Sequence, residues 1–161
     1  MHKKIFIPLL AFLFSLSLFA QQTKNIGIAP FKITLLNGKS YTYKELKKNT
    51  PTVLIYFSPT CDHCKEFTKE LIKQDKQLKD KQIVMVGYES IKEMKKFDSS
   101  FHITAKPNFK IGTEGYTFIV QKWYDVQRFP FVAMYNKKME LVKIVPFVTQ
   151  PEDVSKEVAA L

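Results

Sequence analysis

The chain has 161 residues, of which 45% are hydrophobic, 14% aromatic and 25% charged. This is enough apolar sequence for the core of one ordinary domain, and it argues against disorder and against a multidomain enzyme. Five glycines and eight prolines exclude collagen-like and low-complexity chains, and two cysteines are too few for a disulfide-rich scaffold. We therefore expect the cysteines to matter for their chemistry.

Residues 1–20 follow the order of a secretory signal peptide: two lysines, an apolar run over residues 5–19, and Ala20 before two glutamines. We expect cleavage after Ala20. The alternative is a retained anchor helix, which the short run and Pro8 disfavour. The mature protein is accordingly expected outside the cytoplasm, in the periplasm or an equivalent compartment, where disulfides persist.

Cleavage leaves a tether over residues 21–30 and one domain over residues 31–161. It removes two lysines and no acid, so 23 basic against 15 acidic side chains give a formal charge of +8. Lysines recur throughout, as at Lys65, Lys69 and Lys73 on one predicted helix, so we interpret them as a solvated surface. Nucleic acid is not an expected partner, and at most a weak attraction to anionic membrane surfaces follows.

Strands and turns alternate in the first part of the domain. Residues 31–36 predict a strand, the Asn-Gly pair at 37–38 a tight turn, and residues 40–43 the hairpin partner. A helical turn over residues 43–48 follows. The continuous apolar run at 52–57 is typical of a strand buried on both faces, in the middle of a sheet.

Beyond this strand the chain turns, and Cys64, Phe67, Leu71 and Leu78 recur at helical spacing. The next elements complete a β-α-β arrangement. They are a strand over residues 83–88 and a helix over residues 91–97.

The rest of the chain predicts a β-β-α arrangement. Residues 106–115 indicate an irregular loop, and residues 118–124 fit a strand or a helix. A hairpin follows, with strands at 131–135 and 140–145 and a turn at 136–138. A last helix is predicted from Thr149, with Thr149 and Glu152 as a capping box and Val154, Val158 and Leu161 as its buried stripe.

The sequence Cys61-Asp62-His63-Cys64 lies where the buried strand gives way to a helix. Cysteines three apart on a first helical turn share one side, at a separation that a disulfide tolerates. Cys61 at the helix start faces unpaired N–H groups that stabilise a thiolate, whereas Cys64 is expected to be more buried. Asp62 disfavours a neighbouring thiolate and a protonated His63 favours it, so both are expected to tune the redox potential.

Other interpretations of the cysteine pair are weaker. A static disulfide that closes so small a loop removes little entropy from the unfolded chain, so it would add little to stability. A zinc site needs two further ligands, and the mature chain offers only His63 and His102, so we expect no metal. A copper-delivery site would also need further ligands that the chain does not offer. His102 is expected to be a partly buried polar side chain, and Trp123 a packing residue.

The sequence resembles the thioredoxin-fold superfamily and is most similar to exported TlpA-like thiol-disulfide oxidoreductases. The resemblance covers residues 31–160, and residues 31–39, 53–64 and 124–135 carry it. It implies an α/β fold with a central mixed sheet flanked by helices, here with an N-terminal β-hairpin extension. It also favours a helix over residues 118–124.

The resemblance further implies a substrate groove. In the family a cis-proline precedes the penultimate strand and packs against the cysteines, and Phe129-Pro130 occupies that place; the alternative is an ordinary trans proline. The family implies that the Phe129 backbone pairs with an extended substrate and that Pro130 keeps metals from the thiolates. Thr60 and residues 62–63 depart from the thioredoxin pattern, and Ile55 replaces a buried acid that many thioredoxins carry.

We therefore expect an exported thiol-disulfide oxidoreductase in which Cys61 attacks and Cys64 resolves, with Thr60, Phe129 and Pro130 forming the groove. No organic cofactor is expected beyond the cysteine pair. The expected partners are protein thiols or disulfides of the cell envelope and a redox donor or acceptor protein. The alternative is a non-catalytic binding module with a passive Cys61-Cys64 bridge, and the direction of electron flow stays open.

Overall fold

A seven-stranded mixed β-sheet forms the centre of the computed structural model, which describes residues 26–161. The predicted signal peptide and the first half of the tether lie outside the described residues. In spatial order the sheet is β2-β1-β5-β4-β3-β6-β7, in which β3, β4 and β5 are parallel and the other neighbours antiparallel. The strands are β1 (Lys32–Leu35), β2 (Ser40–Thr42), β3 (Thr52–Tyr56), β4 (Gln82–Gly87), β5 (Phe109–Thr113), β6 (Phe131–Tyr135) and β7 (Leu141–Val145).

Four α-helices within residues 26–161 cover the two faces of the sheet. Three of them, which supply Phe67, Met94 and Val158, pack on one face, and the short third helix packs on the other through Val120. Among residues 26–161, none of the helices is long and apolar enough to cross a bilayer. The helices are α1 (Asp62–Lys73), α2 (Ile91–Phe101), α3 (Ile119–Trp123) and α4 (Pro151–Ala160).

The side chains of strand β3 contribute to two hydrophobic cores, one on each face of the sheet. All five of its residues are buried, as its unbroken apolar sequence predicts. Because successive side chains point to opposite faces, Val53 and Ile55 join the core under α1, while Leu54 and Tyr56 join the core under α3. This arrangement is the thioredoxin-like α/β fold that the sequence predicts, and the β1-β2 hairpin extends the sheet at one edge.

The prediction of an irregular loop over residues 106–115 is wrong. Residues 109–113 form β5, which lies between β4 and β1 and pairs with both. A Cβ built on Gly112 would lie 2.5 Å from the backbone oxygen of Thr34, so the glycine permits the close approach of β1. The pairing partners are distant in sequence, so tertiary contacts override the weak local pattern.

The ends of three helices also differ from the predictions. Helix α4 begins at Pro151 with Gln150 as its cap, and no side chain caps it, so the predicted box of Thr149 and Glu152 is wrong. Proline favours the first helical position and keeps the residue before it extended. Helix α1 ends at Lys73, so the buried Leu78 lies in the turns after it, and α2 continues to residue 101.

The structure also places the two isolated side chains that the sequence singled out. His102 is exposed in a left-handed conformation at the end of α2, so the prediction of a partly buried side chain is wrong. Trp123 is 47% exposed, and its indole N–H donates to the carbonyl oxygen of Gly27 at 2.9 Å. Trp123 is therefore a packing residue at the rim of the domain.

The chain before β1 is part of the packed domain. Ala29 is fully buried and its N–H donates to the Tyr124 hydroxyl at 3.0 Å. The hydroxyl groups of Tyr124 and Tyr135 lie 2.7 Å apart, and that of Tyr135 donates to the carbonyl oxygen of Ile26. Residues 26–29, in the second half of the predicted tether, are therefore hydrogen-bonded to Tyr124 and Tyr135 of the domain.

Candidate functional site

Cys61 lies at the junction of β3 and α1. It is the N-cap of α1, with extended backbone angles, and its N–H donates to the Ser58 carbonyl oxygen at 3.2 Å. The side chain is half-buried, and both Cys61 and Cys64 are free thiols. The uncapped N–H groups of the first turn of α1 therefore lie next to an accessible sulfur, where a helix stabilises negative charge.

Cys64 is one turn further along α1 and is 1% exposed. It packs in the same core as Ile55 and Phe67. Burial raises the pKa of the Cys64 thiol, because the apolar surroundings disfavour the thiolate. The two sulfurs therefore differ in the way that an attacking and a resolving cysteine differ.

The Phe129-Pro130 segment lies against Cys61, although 68 residues separate Phe129 from Cys61 in the chain. The Cys61 thiol faces the Phe129 carbonyl oxygen at 3.7 Å, and the Phe129-Pro130 peptide bond is cis. Pro130 is buried at the start of β6, and its carbonyl oxygen accepts from the N–H of Val148 at 3.0 Å. The segment is thus bonded on one side to the chain between β7 and α4 and borders the cysteine on the other.

The residues between the cysteines are exposed on the first turn of α1. Asp62 accepts from the Lys65 ammonium at 2.8 Å, which holds the pKa of the Asp62 carboxyl below its usual range. The His63 ring meets the Phe147 ring edge-on, with centroids 5.5 Å apart, and its Nδ1 lies 3.9 Å from a Glu66 carboxylate oxygen. Both side chains therefore lie at the surface of the first turn of α1, between the two cysteines in the chain.

Thr60 is exposed directly before Cys61, and its hydroxyl lies 3.0 Å from the Ser58 hydroxyl. The structure therefore gathers every predicted site residue at one end of β3. None of the described residues forms a group of three His, Cys, Asp or Glu side chains able to hold a metal ion.

Sequence reasoning missed a cluster of buried polar groups beside this site. The Tyr56 hydroxyl and one carboxylate oxygen each of Glu89 and Glu114 are buried without a hydrogen-bond partner. The other carboxylate oxygen of Glu114 accepts from the Val120 N–H at 3.0 Å and so caps α3. Burial and the nearby Glu114 raise the pKa of Tyr56, which keeps its hydroxyl neutral. The only signal in the sequence is the isolated acid Glu114, which follows the residues of β5.

Sequence reasoning also missed the aromatic side chains that surround Phe129. The Phe129 ring lies 5.6 Å from the Tyr56 ring and 6.3 Å from the Tyr88 ring, and Tyr88 in turn lies 5.6 Å from Phe118. The side chain of Phe129, which the sequence places in the groove, is therefore one part of a larger aromatic surface.

Comparisons with known proteins address the family. The thioredoxin family model matches residues 32–124. No curated protein gives a match. A secreted Mycobacterium tuberculosis disulfide oxidoreductase homologous to E. coli DsbE is 21% identical, with a TM-score of 0.68, over 82% of this chain and 96% of that chain.

Two further solved structures are similar. A thiol-disulfide oxidoreductase from Bacteroides fragilis NCTC 9343 is 12% identical, with a TM-score of 0.66, over 84% of this chain and 99% of that one. The pneumococcal exposed lipoprotein thioredoxin from Streptococcus pneumoniae strain TIGR4 is 18% identical, with a TM-score of 0.59, over 81% and 98%. At these identities the structures share the fold.

Proposed function

Because the chain belongs to the thioredoxin family, we propose that it is an exported thiol-disulfide oxidoreductase that exchanges disulfides with protein substrates. One observation carries the proposal: an accessible Cys61 at a helix N-terminus, with the buried Cys64 one turn behind it and the Phe129 carbonyl in front. No organic cofactor is required, since the two sulfurs themselves hold the electron pair.

The reaction proceeds in two exchanges. The Cys61 thiolate attacks one sulfur of a partner disulfide, which forms a mixed disulfide and releases the partner's other sulfur as a thiolate. Cys64 then loses its proton and attacks the Cys61 sulfur, which closes the Cys61-Cys64 disulfide and releases the second partner thiolate. Two electrons and two protons pass from the protein dithiol to the partner, and the reverse sequence oxidises a partner dithiol.

The backbone beside Phe129 supplies the docking edge. Its carbonyl oxygen is within reach of the Cys61 thiol, so a substrate segment joined to Cys61 lies along the same stretch of chain. We propose that this segment binds in extended form against Thr60, Phe129 and Pro130, and that Pro130 keeps metal ions from the thiolates. Asp62 and His63 then tune the redox potential through their charges.

A trapping experiment tests the exchange. Cys64→Ala removes the resolving sulfur, so incubation of the reduced variant with glutathione disulfide should yield a stable one-to-one glutathione adduct on Cys61. Intact-mass measurement under non-reducing conditions detects it. Cys61→Ala, the matched control, should form no adduct within the same time.

The outcome that contradicts the proposal is specific. If Cys64→Ala forms no adduct, and the wild-type Cys61-Cys64 bridge is not reduced by excess glutathione, the cysteines form a passive bridge in a binding module. Export is tested separately by N-terminal sequencing of the mature protein, which should begin at Gln21 in the envelope fraction. An N-terminus at Met1 in a membrane fraction would support the anchored alternative.

A further inference from the structure

The edge of the sheet opposite Cys61 gathers exposed lysines from three separate loops. At this edge the parallel strands β3, β4 and β5 begin and β6 ends, since Thr52 pairs with both Gln82 and Tyr135. The three loops precede β3, precede β4 and join β6 to β7. We call their exposed lysines the basic edge, and these are Lys47, Lys48, Lys76, Lys79, Lys137 and Lys138.

The charges of the basic edge are not neutralised by acids. None of its lysines forms an ion pair with a residue in the described range 26–161. Three acids lie in the same loops, but Asp75 pairs with Lys106 and Asp80 pairs with Lys81, each at 2.8 Å. Glu140 is the remaining acid, so a large excess of positive charge stays open to solvent.

The loops that carry these lysines are held in fixed positions. The amide group of Gln82, which is 6% exposed, bonds both the N–H and the carbonyl oxygen of Lys47, at 2.9 and 3.0 Å. The Asn108 amide donates to two carbonyl oxygens of the loop before β4, and the Asn136 side chain accepts from the N–H of Lys138 at 2.9 Å. Because this backbone is already ordered, a partner that binds here does not have to order it.

The opposite edge, where Cys61 lies, carries charges of both signs. Asp62 pairs there with Lys65 at 2.8 Å, and Glu89 and Glu114 each bury one carboxylate oxygen. Strand β3 runs from one edge to the other through five residues, which span about 16 Å at about 3.3 Å per residue. The excess of positive charge and the reactive sulfur therefore lie at opposite ends of the domain.

The chain enters the described structure close to the basic edge. The carbonyl oxygen of Ile26 accepts from the hydroxyl of Tyr135 at 3.3 Å, and Tyr135 is the last residue of β6. Residues 1–25, which include the predicted signal peptide, join the domain at Ile26. In the anchored alternative to cleavage, this connection keeps the basic edge on the side of the bilayer.

We infer that the basic edge docks the protein on a membrane surface rich in anionic lipids, with Cys61 directed away from the bilayer. The surface potential of anionic lipids strengthens binding by about fivefold for each lysine in close contact. The sequence suggests only a weak, general attraction to such surfaces, and the fold concentrates it on one edge. This contact lies outside the redox site, so the inference goes beyond the proposed function and does not depend on it.

Vesicle flotation tests the inference. Protein isolated from the cell envelope is mixed at low salt with vesicles of phosphatidylcholine alone, or of phosphatidylcholine and phosphatidylglycerol. The wild-type protein should bind the vesicles with phosphatidylglycerol about 100-fold more strongly, a part of what full contact by every lysine of the basic edge would give. Salt at about 1 M, which shortens the Debye length to about 3 Å, should abolish this preference.

Two variants of equal net charge locate the contact. The first replaces four lysines of the basic edge, as Lys47→Gln, Lys48→Gln, Lys137→Gln and Lys138→Gln. The matched control replaces four exposed lysines on other surfaces that are equally free of ion pairs, as Lys32→Gln, Lys69→Gln, Lys92→Gln and Lys95→Gln. The first variant should lower the preference below about tenfold, and the control should stay within about threefold of the wild type. All three proteins share residues 1–25, so any contribution from that segment is the same in each.

Urea unfolding and the reaction with glutathione disulfide should be unchanged in both variants, because their substitutions lie outside the redox site. If the first variant is unstable, Lys76→Gln combined with Lys79→Gln should still lower the preference about fivefold. The inference is overturned if the wild-type protein binds both kinds of vesicle equally, or if the two variants lose the preference equally. It is also overturned if a bulky maleimide alkylates Cys61 much more slowly in the vesicle-bound protein than in the free protein. Failure of Cys64→Ala to form a glutathione adduct would refute the proposed function and leave these binding results as they stand.

Discussion

Replacing Gly112 by alanine tests the account of how β5 joins the sheet. Gly112 pairs with Leu35 of β1, and a Cβ at Gly112 would lie 2.5 Å from the carbonyl oxygen and 3.0 Å from the carbonyl carbon of Thr34. It would also meet Cδ1 of Ile33 at 3.2 Å. The first two contacts involve backbone atoms, so the clash is relieved only when β1 moves away from β5.

The size of the effect follows from two opposing contributions. Overpacking of a well-packed site costs about 1–3 kcal/mol, and a clash with backbone belongs at the upper end because no rotamer change relieves it. The alanine also lowers the conformational entropy of the unfolded chain, which stabilises the folded protein by about 0.4–1 kcal/mol. We expect Gly112→Ala to lower the free energy of unfolding by about 2 kcal/mol, which for a chain of this length lowers Tm by about 4–8 °C.

Urea unfolding, followed by circular dichroism and by the fluorescence of Trp123, measures the change. Gly27→Ala is the matched control: no atom lies within 4 Å of its Cβ position, so its stability should equal or slightly exceed that of the wild type. Equal stabilities for Gly112→Ala and Gly27→Ala would show that β1 does not approach β5 as described.

Two further predictions concern the thiol and the hydroxyl groups. Because burial raises the pKa of Cys64, iodoacetamide should label Cys61 and spare Cys64 at neutral pH. In Cys61→Ser the labelling rate of Cys64 should still increase more than about one pH unit above the free-thiol pKa of about 8.5, where an exposed thiol is almost fully ionised and its rate has levelled off; a plateau there would contradict the burial of Cys64. Tyr135→Phe removes the hydroxyl that lies 2.7 Å from that of Tyr124, so it should cost about 1 kcal/mol in urea unfolding, whereas Tyr116→Phe, at an exposed ring, should cost nothing measurable.

The elements that the sequence predicts well are those whose pattern is local. The apolar run at residues 52–57 is typical of a strand buried on both faces, and β3 is such a strand. The Asn-Gly pair at 37–38 supplies the positive φ angle of 82° at Gly38, which closes the β1-β2 hairpin. Likewise, the position of two cysteines between a strand and an amphipathic helix already places Cys61 at a helix start.

Local pattern misled where a long-range partner decides the structure. Residues 109–113 have a short apolar alternation interrupted by glycine, and only the pairing with β4 and β1 makes them a strand. At the start of α4, the sterics of Pro151 outweigh the match of Thr149 and Glu152 to a capping box. Here a single stiff residue fixed the helix boundary.

The amino-acid order by itself determined the two-faced sheet, the hairpin and the unequal exposure of the cysteines, because hydrophobic spacing and turn chemistry act over a few residues. Only the tertiary structure decided that the Phe129 carbonyl lies 3.7 Å from the Cys61 sulfur and that Tyr88 and Phe118 extend the surface beside it. These neighbours lie tens of residues apart in the chain. Their contact energies depend on how β3, β4 and β6 are laid side by side, and no short stretch of sequence encodes that placement.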